Sequence, residues 1–293
     1  MLPLAHLTLR PSFGLATLAL LGLSASSLRP AGQEPTESLP RILIVNDDGI
    51  DSPGVQALVD AFASIAEVHV CAPDSNRSGS SASTAALTQF MDVVPHKMRG
   101  ATSAWSVSGQ PVDAAQFGLL ELGPTGKPSD FDLVISGIND GANVGNLQQY
   151  SGTVGAASAA VHYGVPAIAI SQGSRLGSFE FSAQFAVRFA QQLNEHSAHP
   201  GVVYSINIPV ANEEQLAGTT LAPQAGEYIH INDYIRMTDA EGMQTARAKF
   251  GYKREQPEGS DTDFFQKKYI TITPLRIDRT DADALAELKA WTF

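Results

Sequence analysis

At residues 42–51 the chain reads Ile-Leu-Ile-Val-Asn-Asp-Asp-Gly-Ile-Asp. The first four residues form an unbroken apolar run rich in β-branched side chains, which is typical of a strand buried on both faces of a parallel sheet. Ligands of such sheets bind beyond the carboxyl ends of the strands, where Asp47 and Asp48 follow. A turn eased by Gly49 can direct both carboxylates to this edge, where a divalent cation would relieve their repulsion. The alternative is that both are solvated residues of a turn or a helix cap.

The rest of the chain alternates strand-like and helix-like segments. This alternation predicts an α/β fold with a doubly wound, mainly parallel sheet. Further strands are predicted over residues 68–72, 131–136, 166–171, 202–208 and 269–275, the second of these ending at Gly137. Helices are predicted directly after Ser52 and Pro53 and over residues 111–122, 153–163, 179–196 and 282–291. Loose alternation over 228–236 and 244–252 predicts a hairpin within a C-terminal extension, 218–268, that we expect to act as an oligomerisation arm.

The N-terminal region differs in composition from the rest of the chain. Arg10 precedes an apolar stretch from Phe13 to Leu23, and small residues follow it. This pattern predicts a signal peptide over residues 1–26, a flexible proline-containing leader over 27–40 and a single folded domain over 41–293. Because the apolar stretch is shorter than the ~18 residues of a membrane span, no permanent membrane span is expected. We therefore predict export, to a periplasm, with a cytoplasmic location as the alternative if the leader is not processed.

Composition limits the kinds of partner. The 293-residue chain is 43% hydrophobic and carries a net charge of −11, which becomes −12 without residues 1–26. So acidic a protein is disfavoured as a partner of duplex nucleic acid. Small anionic ligands remain compatible if a metal ion or backbone amides supply a local positive field. The single cysteine, Cys71, excludes an intrachain disulfide and lies in an apolar run, which indicates a packed core thiol.

Polar, glycine-rich loops accompany several of these elements, at residues 46–49, 74–79, 136–143 and 150–155. Right-handed crossovers place such loops on one edge of a parallel sheet, so residues distant in sequence can meet there. Ser78 and Asn139 would add neutral oxygens to the two carboxylates. Hard oxygen donors with few carboxylates favour magnesium, manganese or calcium over zinc. Each neutral donor alone is equally compatible with an ordinary turn residue.

Ser151, Gly152 and Thr153 stand where the helix over 153–163 is predicted to begin. Backbone N–H groups at a helix N-terminus bind anions such as phosphate, and the helix dipole assists them. An ordinary Ser or Thr N-cap uses the same residues and is the alternative. The sequence lacks the glycine fingerprint of nicotinamide enzymes, a complete phosphate loop and the Gly-x-Ser-x-Gly elbow of serine hydrolases.

Taken together, these loops resemble the SurE family, the survival-protein nucleotidases. The matching motifs are Asn46-Asp47-Asp48-Gly49-Ile50 and residues 72–79, 134–143, 150–156, 207–209 and 271–275. The likeness follows the family order over about residues 41–276, and the combination of motifs is highly specific.

The resemblance implies a Rossmann-like core and a homo-oligomer, dimer or tetramer, built through C-terminal extensions. It also implies a metal-dependent phosphomonoesterase that acts on nucleoside monophosphates. Carried onto matching positions, one Mg²⁺ or Mn²⁺ ion would be held by Asp47, Asp48, Ser78 and Asn139, with the two aspartates as the catalytic residues. Phosphate contacts would fall near Asn46, Gly79, Ser151, Gly152 and Thr153.

The chain departs from the family pattern in two regions. Residues 109–113 read Gly-Gln-Pro-Val-Asp where the family usually has Gly-Thr-Pro-Ala-Asp, a difference expected at the rim of the substrate site. Residues 228–252 lack much of the usual arginine and tryptophan pattern, which leaves nucleobase preference and assembly open. The main hypothesis is hydrolysis of a phosphate monoester by water activated on the ion at Asp47 and Asp48. The alternative is a periplasmic module that binds anions or nucleotides without cleaving them.

Overall fold

A computed structural model describes residues 39–173, 177–209 and 213–292. The predicted signal peptide and nearly all of the predicted leader lie outside the described residues. The strands are β1 (Arg41–Val45), β2 (Glu67–Pro73), β3 (Val93–His96), β4 (Ser103–Val107), β5 (Leu133–Asp140), β6 (Ala167–Gln172), β7 (Val202–Ile208), β8 (Gly218–Leu221), β9 (Ile229–Thr238), β10 (Gln244–Tyr252) and β11 (Tyr269–Arg276). The α-helices are α1 (Pro53–Phe62), α2 (Pro111–Glu121), α3 (Gly152–His162), α4 (Glu180–His196), α5 (Asp261–Gln266) and α6 (Ala282–Leu288).

Nine of these strands form one sheet in the order β3-β4-β2-β1-β5-β6-β7-β11-β8. The strands from β4 to β7 in that order are parallel, whereas β3 pairs antiparallel with β4 and β11 pairs antiparallel with β7. Helices α1 and α4 pack together on one face, and α2 and α3 on the other. The predicted α/β class with a mainly parallel, doubly wound sheet is therefore confirmed.

The apolar run of β1 is buried on both faces of the sheet. Ile42 and Ile44 pack in the core layer that contains α1 and α4, whereas Leu43 and Val45 pack in the layer that contains α2 and α3. Side chains of a strand alternate between faces, so only an unbroken apolar run can satisfy both layers. Cys71 of β2 is fully buried in the second layer, and this burial raises the pKa of its thiol. The prediction of a packed core thiol is confirmed.

Strand β5 corrects the predicted element boundary at Gly137. The strand begins at Leu133 and continues through Gly137 to Asp140. Pairing with β6 is interrupted after Ser136 and resumes at Asn139, across a cis peptide bond between Gly137 and Ile138. Gly137 has a φ of +140°, and a Cβ there would lie 2.3 Å from the carbonyl oxygen of Ile170. Glycine therefore lets the strand pass an irregularity instead of ending, and Asn139 becomes part of the strand.

Several short elements were not predicted, namely β3, β4, β8 and α5, and the last helix ends at Leu288 rather than at residue 291. The predicted hairpin is confirmed, since β9 and β10 pair antiparallel as a separate two-stranded sheet. Its large apolar side chains are exposed, with Met237 at 67% and Phe250 at 55%. Within the described ranges, no helix combines the length and apolar character needed to cross a bilayer.

Candidate active site

The two aspartates after β1 point to different partners. Asp47 is buried at 3% exposure, and its Oδ1 accepts a hydrogen bond of 2.7 Å from the Thr153 hydroxyl. Asp48 is half-buried and accepts hydrogen bonds from Asn76 Nδ2 at 3.1 Å and from the backbone N–H of Asp140 at 3.0 Å. Loops that follow β1, β2 and β5 therefore meet the start of α3 at one corner, as the loop spacing predicts.

Asn46 shapes the turn that directs these carboxylates. Its side chain accepts a hydrogen bond from the backbone N–H of Gly49 at 3.2 Å and donates one to the Gly49 carbonyl oxygen at 2.9 Å. Gly49 has a φ of +104°, and a Cβ there would lie 3.2 Å from the backbone of Ser75. Both polar groups of the Asn46 side chain are engaged in this turn, and its phosphate contact stays a prediction.

The loop after β2 reaches the same corner through Asn76. Asn76 Oδ1 accepts a hydrogen bond of 2.9 Å from the backbone N–H of Ser78, while its Nδ2 binds Asp48. Ser78 and Gly79 are exposed, and no atom lies within 4 Å of the position of a Cβ at Gly79. No role was predicted for Asn76 from the sequence. The available clue was that it stands two residues before the proposed ligand Ser78, in an Asn-Arg-Ser-Gly loop.

Asn139 lies at the same corner on the extension of β5. Its Nδ2 donates a hydrogen bond of 2.7 Å to the carbonyl oxygen of Gly141, which leaves Oδ1 as the side-chain atom suited to a cation. The next residue, Asp140, supplies the backbone N–H that binds Asp48. The structure thus brings the strand that carries Asn139 beside Asp48.

Helix α3 begins directly against Asp47. Ser151 is the N-cap, and its Oγ accepts a hydrogen bond of 3.1 Å from Val154 N, so the capping interpretation of this side chain is confirmed. A Cβ at Gly152 would lie 2.8 Å from Asp47 Cβ and 2.7 Å from Ser80 Oγ. The N–H groups of Gly152 and Thr153 are in the first turn, where a helix offers them no acceptor. The Thr153 N–H faces the Asp47 carboxylate, so the Gly152 N–H is the donor that remains for an anion beside it.

A buried polar network holds Thr153 in place. Asn143 Nδ2 donates hydrogen bonds to Ser171 Oγ at 2.8 Å and to Thr153 Oγ1 at 3.4 Å, and Asn143 N donates to Asn207 Oδ1 at 2.7 Å. From the sequence, Asn143 and Asn207 were recognised only as motif residues. The clue at Asn207 was a polar residue within the mostly apolar strand β7, because a buried polar group needs a hydrogen-bond partner.

The charge at this corner favours a cation. Burial raises the pKa of Asp47 from 3.8 to about 6; the Thr153 hydrogen bond opposes this shift, and the charge of Asp48 adds to it. Across the described residues, no lysine, arginine or histidine side chain pairs with Asp47. Nor do those residues contain a group of three or more His, Cys, Asp or Glu side chains arranged for a metal. Two carboxylates with neutral oxygens suit a hard ion such as Mg²⁺ or Mn²⁺.

Asp113, in the segment that departs from the family pattern, has a structural position. It is buried and accepts backbone hydrogen bonds from Gln110 at 2.8 Å, Ala85 at 2.8 Å and Ala86 at 3.2 Å, together with one from the Thr84 hydroxyl. The carboxylate therefore fixes the start of α2 to the loop at residues 84–86.

Two clefts of opposite charge adjoin the corner. The acidic cleft, of about 1100 Å³, lies beside Asp48, and its described lining contains no lysine, arginine or histidine. Its acidic residues are Asp48, Asp51, Asp60, Asp74, Asp140 and Glu180. The basic cleft, of about 930 Å³, lies beside Ser151; His162, Arg276 and Arg279 line it, with no acidic residue in the described lining.

Comparison with known proteins agrees with this geometry. The family model described as "Survival protein SurE" matches residues 42–230. A 5'-nucleotidase SurE from Pelobacter propionicus is 35% identical over 259 residues, which cover 86% of this chain and 99% of that protein. A 5'-nucleotidase SurE from Clostridium botulinum (strain ATCC 19397 / Type A) is 32% identical over 251 residues, which cover 84% and 96%.

A solved structure shares the architecture. The crystal structure of the SurE protein from Aquifex aeolicus matches with a TM-score of 0.72 at 29% sequence identity, covering 85% of this chain and 98% of that one. The resemblance read from the loop motifs is thus confirmed over most of the length of both proteins. On the family model, the full-length relatives and the common fold, this chain belongs to the SurE family.

Proposed function

We propose that the protein is a metal-dependent nucleotidase that hydrolyses nucleoside monophosphates to nucleoside and phosphate. The observation that carries the proposal is the buried hydrogen bond between Asp47 and Thr153. It joins a carboxylate suited to a cation to the helix N-terminus suited to a phosphate, so both halves of a phosphoryl-transfer site adjoin. The names of the curated relatives, 5'-nucleotidase SurE, support the substrate class.

The residues that would hold the ion are Asp47, Asp48, Ser78 and Asn139. When bound, a divalent ion supplies a Lewis acid that lowers the pKa of water and offsets phosphate charge. The protein holds the two carboxylates in advance, because Thr153 fixes Asp47 while Asn76 and the Asp140 N–H fix Asp48. Such preorganisation avoids the cost of rearranging the site during the reaction.

The start of α3 would bind the phosphoryl group. The Gly152 N–H would donate to its oxygens, over which negative charge is spread in the transition state, while the Thr153 N–H faces Asp47. The dipole of the 11-residue helix α3 adds to this stabilisation. Because a Cβ at Gly152 would meet Asp47, glycine allows the helix to approach the carboxylate closely.

A phosphate-release assay tests this function. Nucleoside 5'- and 3'-monophosphates and a generic aryl phosphate are each incubated with the full chain and Mg²⁺ or Mn²⁺, with and without excess chelator. We expect release with metal, none with chelator and recovery when metal is added back. Stoichiometric retention of nucleotide without release would instead support the binding module.

We also infer export, with scavenging of external nucleotides as the role that suits it. The basic residue, apolar stretch and small residues within 1–26 support this location. Mass spectrometry of protein from the periplasmic and cytoplasmic fractions tests it. An N-terminus near residue 27 in the exported fraction is the expected result, and an intact N-terminus in the cytoplasm would contradict it.

We further propose that residues 218–268 act as an arm in a dimer or tetramer. The exposure of Tyr234, Met237 and Phe250 on the hairpin supports it, because large apolar side chains grouped on one ribbon favour an interface. Sedimentation of the full chain measures the assembly. A monomer at micromolar concentration would refute the proposal.

A further inference from the structure

The basic cleft is unusual in a chain of net charge −11. Arg276 is the last residue of β11 and Arg279 lies three residues later, and both line the cleft with His162. Arg279 donates a hydrogen bond of 3.1 Å to Gln149 Oε1. Asp278, between them, interacts electrostatically with Arg276 but does not line the cleft. Arginine is suited to phosphate because its planar guanidinium can donate two hydrogen bonds at once.

Two buried polar atoms of the lining lack hydrogen-bond partners among the described residues. They are Gln148 Oε1 and Thr273 Oγ1, on side chains that are at least nine-tenths buried, with residue exposures of 4% and 2%. Gln148 Nε2 donates a hydrogen bond of 2.9 Å to the buried carboxylate of Asp261, which fixes the orientation of the amide. A buried polar atom without a partner is costly, so each of these atoms would be stabilised by a ligand that supplied the missing hydrogen bond. Gln148 Oε1 requires an N–H or O–H donor, and Thr273 can donate or accept.

The basic cleft runs along α3 from the N-cap residue Ser151, which is next in sequence to the proposed phosphate-binding residues. Ser151, Val154, Ser158 and His162 line it, at spacings that place them on one face of α3. From Ser151 to His162 the helix extends roughly 16 Å at its rise of ~1.5 Å per residue, which is long enough for a nucleotide. Ser151 precedes the Gly152 and Thr153 amides directly. A ligand in the cleft can therefore have one end at the start of α3.

We propose that the basic cleft is the subsite for the part of a nucleotide substrate distant from the scissile phosphate, and that it recognises a second phosphate there. The inference rests on the proposed nucleotidase function. Arg276 and Arg279 bind the second phosphate, while Gln148 and Thr273 bind donors and acceptors of the base or the ribose. The preferred substrates are then nucleosides with two separate phosphate groups, such as nucleoside 3',5'-bisphosphates.

Steady-state kinetics tests this preference. For wild type we expect kcat/KM for adenosine 3',5'-bisphosphate to exceed that for the 5'-monophosphate by at least about tenfold, because two charge-assisted contacts are added. In R276Q/R279Q the two substrates should become equal within about threefold, while turnover of an aryl phosphate is retained. Equal kcat/KM values in wild type would overturn the proposal.

Lys97→Gln/Lys127→Gln is the matched control, since it removes the same charge. Lys97 follows β3, at the opposite end of the sheet from β11 and β8, and Lys127 lies between α2 and β5. This control should keep the full preference for the bisphosphate. If it lost the preference as R276Q/R279Q does, net charge would explain the effect and the subsite would be refuted.

Thr273→Val tests the unpartnered hydroxyl by two readouts. Removing a buried hydroxyl that has no partner should leave the Tm unchanged or raise it, whereas affinity for the bisphosphate should fall about threefold or more. A lowered Tm with unchanged affinity would show that the hydroxyl serves the fold, and would remove Thr273 from the subsite.

Calorimetry in the presence of chelator separates this proposal from the nucleotidase function. A protein that releases no phosphate from any substrate fails the proposed function, whereas tighter binding of the bisphosphate, lost in R276Q/R279Q, still supports the cleft. Binding of two monophosphate molecules per chain, reduced to one in R276Q/R279Q, would show a separate nucleotide site and overturn the shared subsite. Identical binding of both ligands to wild type and variant would refute recognition by the cleft.

Discussion

The acidic cleft is lined by the turn after β1 and the basic cleft by the first residues of α3, and the two offer a nucleotide opposite fields. Six acidic residues line the cleft beside Asp48, and two of them, Asp60 and Asp74, are paired with arginines outside the lining. Two arginines and a histidine line the cleft beside Ser151. A phosphate ester carries negative charge, so the acidic cleft repels it and the basic cleft attracts it. The net charge of the chain, −11, therefore does not describe the basic cleft. An acidic protein can still present a cleft suited to an anion.

Asp47→Asn should have the largest effect, because it removes one of the charges that make the corner between the clefts a cation site. We expect kcat/KM for a nucleoside monophosphate to fall at least a hundredfold, equivalent to ~3 kcal/mol of transition-state stabilisation. Phosphate release with saturating Mg²⁺ or Mn²⁺ measures it. Near-normal turnover would refute the metal-binding role of this carboxylate.

Asp51→Asn is the control for that variant. Asp51 lines the acidic cleft but is not one of the proposed ligands, so the same chemical change should alter kcat/KM less than about threefold. A large loss in this control would mean that the acidic cleft itself takes part in catalysis.

Gly152→Ala tests the close approach of α3 to Asp47. The new Cβ would lie 2.8 Å from Asp47 Cβ and must displace either the carboxylate or the helix, so we expect a loss of about tenfold or more in kcat. Gly164→Ala is the control, because Gly164 has a φ of +80° and no atom within 4 Å of a Cβ. It should cost ~1 kcal/mol of stability without loss of activity. Equal activity of the two variants would contradict the proposal that α3 must approach Asp47 closely.

Asp51→Asn/Glu180→Gln tests whether the acidic cleft repels a nucleotide. Removing two exposed acids of the acidic cleft weakens its repulsion, and KM for a nucleotide should fall about twofold to threefold at low ionic strength. The effect should disappear in concentrated salt. A rise in KM would show that the substrate uses the acidic cleft.

The smallest effect lies away from both clefts, at His69 of β2. Its ring nitrogens pair with Ser103 Oγ at 2.8 Å and Glu67 Oε1 at 3.3 Å, and burial lowers the pKa of His69. The folded protein therefore binds fewer protons than the unfolded chain just below pH 6.5, so this part of the stability is present above that pH and lost below it. Tm should fall between pH 7.5 and pH 5.5, and by less in His69→Gln. An equal fall in both proteins would contradict the assignment.

Most of the central sheet could be predicted from the sequence, because short, unbroken apolar runs such as residues 42–45 are typical of strands buried in a parallel sheet. The edge elements could not. β3 and β8 have four residues each, mostly exposed or half-buried, so neither carries a clear apolar pattern. The extent of β5 could not be predicted because glycine often marks the end of a strand. Only the structure shows that residue 137 lies too close to the Ile170 carbonyl oxygen for a residue with a Cβ.

For the site, the sequence indicated which loops meet but not which hydrogen bonds their side chains make. The carboxylates and the start of α3 were predictable from residue type and position. Asn46 binds within its own turn, and Asn76 bridges Asp48 and Ser78. Both findings depend on interatomic distances, which cannot be obtained from the spacing of residues in the sequence. The charge of the basic cleft could not be predicted either, because Arg276 and Ser151 come from elements far apart in the chain.

The burial of Cys71 has a practical consequence for measuring ligand binding. As the single thiol of the chain, and one shielded within the core, it leaves the surface without a competing reactive group. A cysteine introduced at Ser158 would therefore take up a maleimide fluorophore at one defined position. Its emission would report ligand entry in real time, independently of turnover.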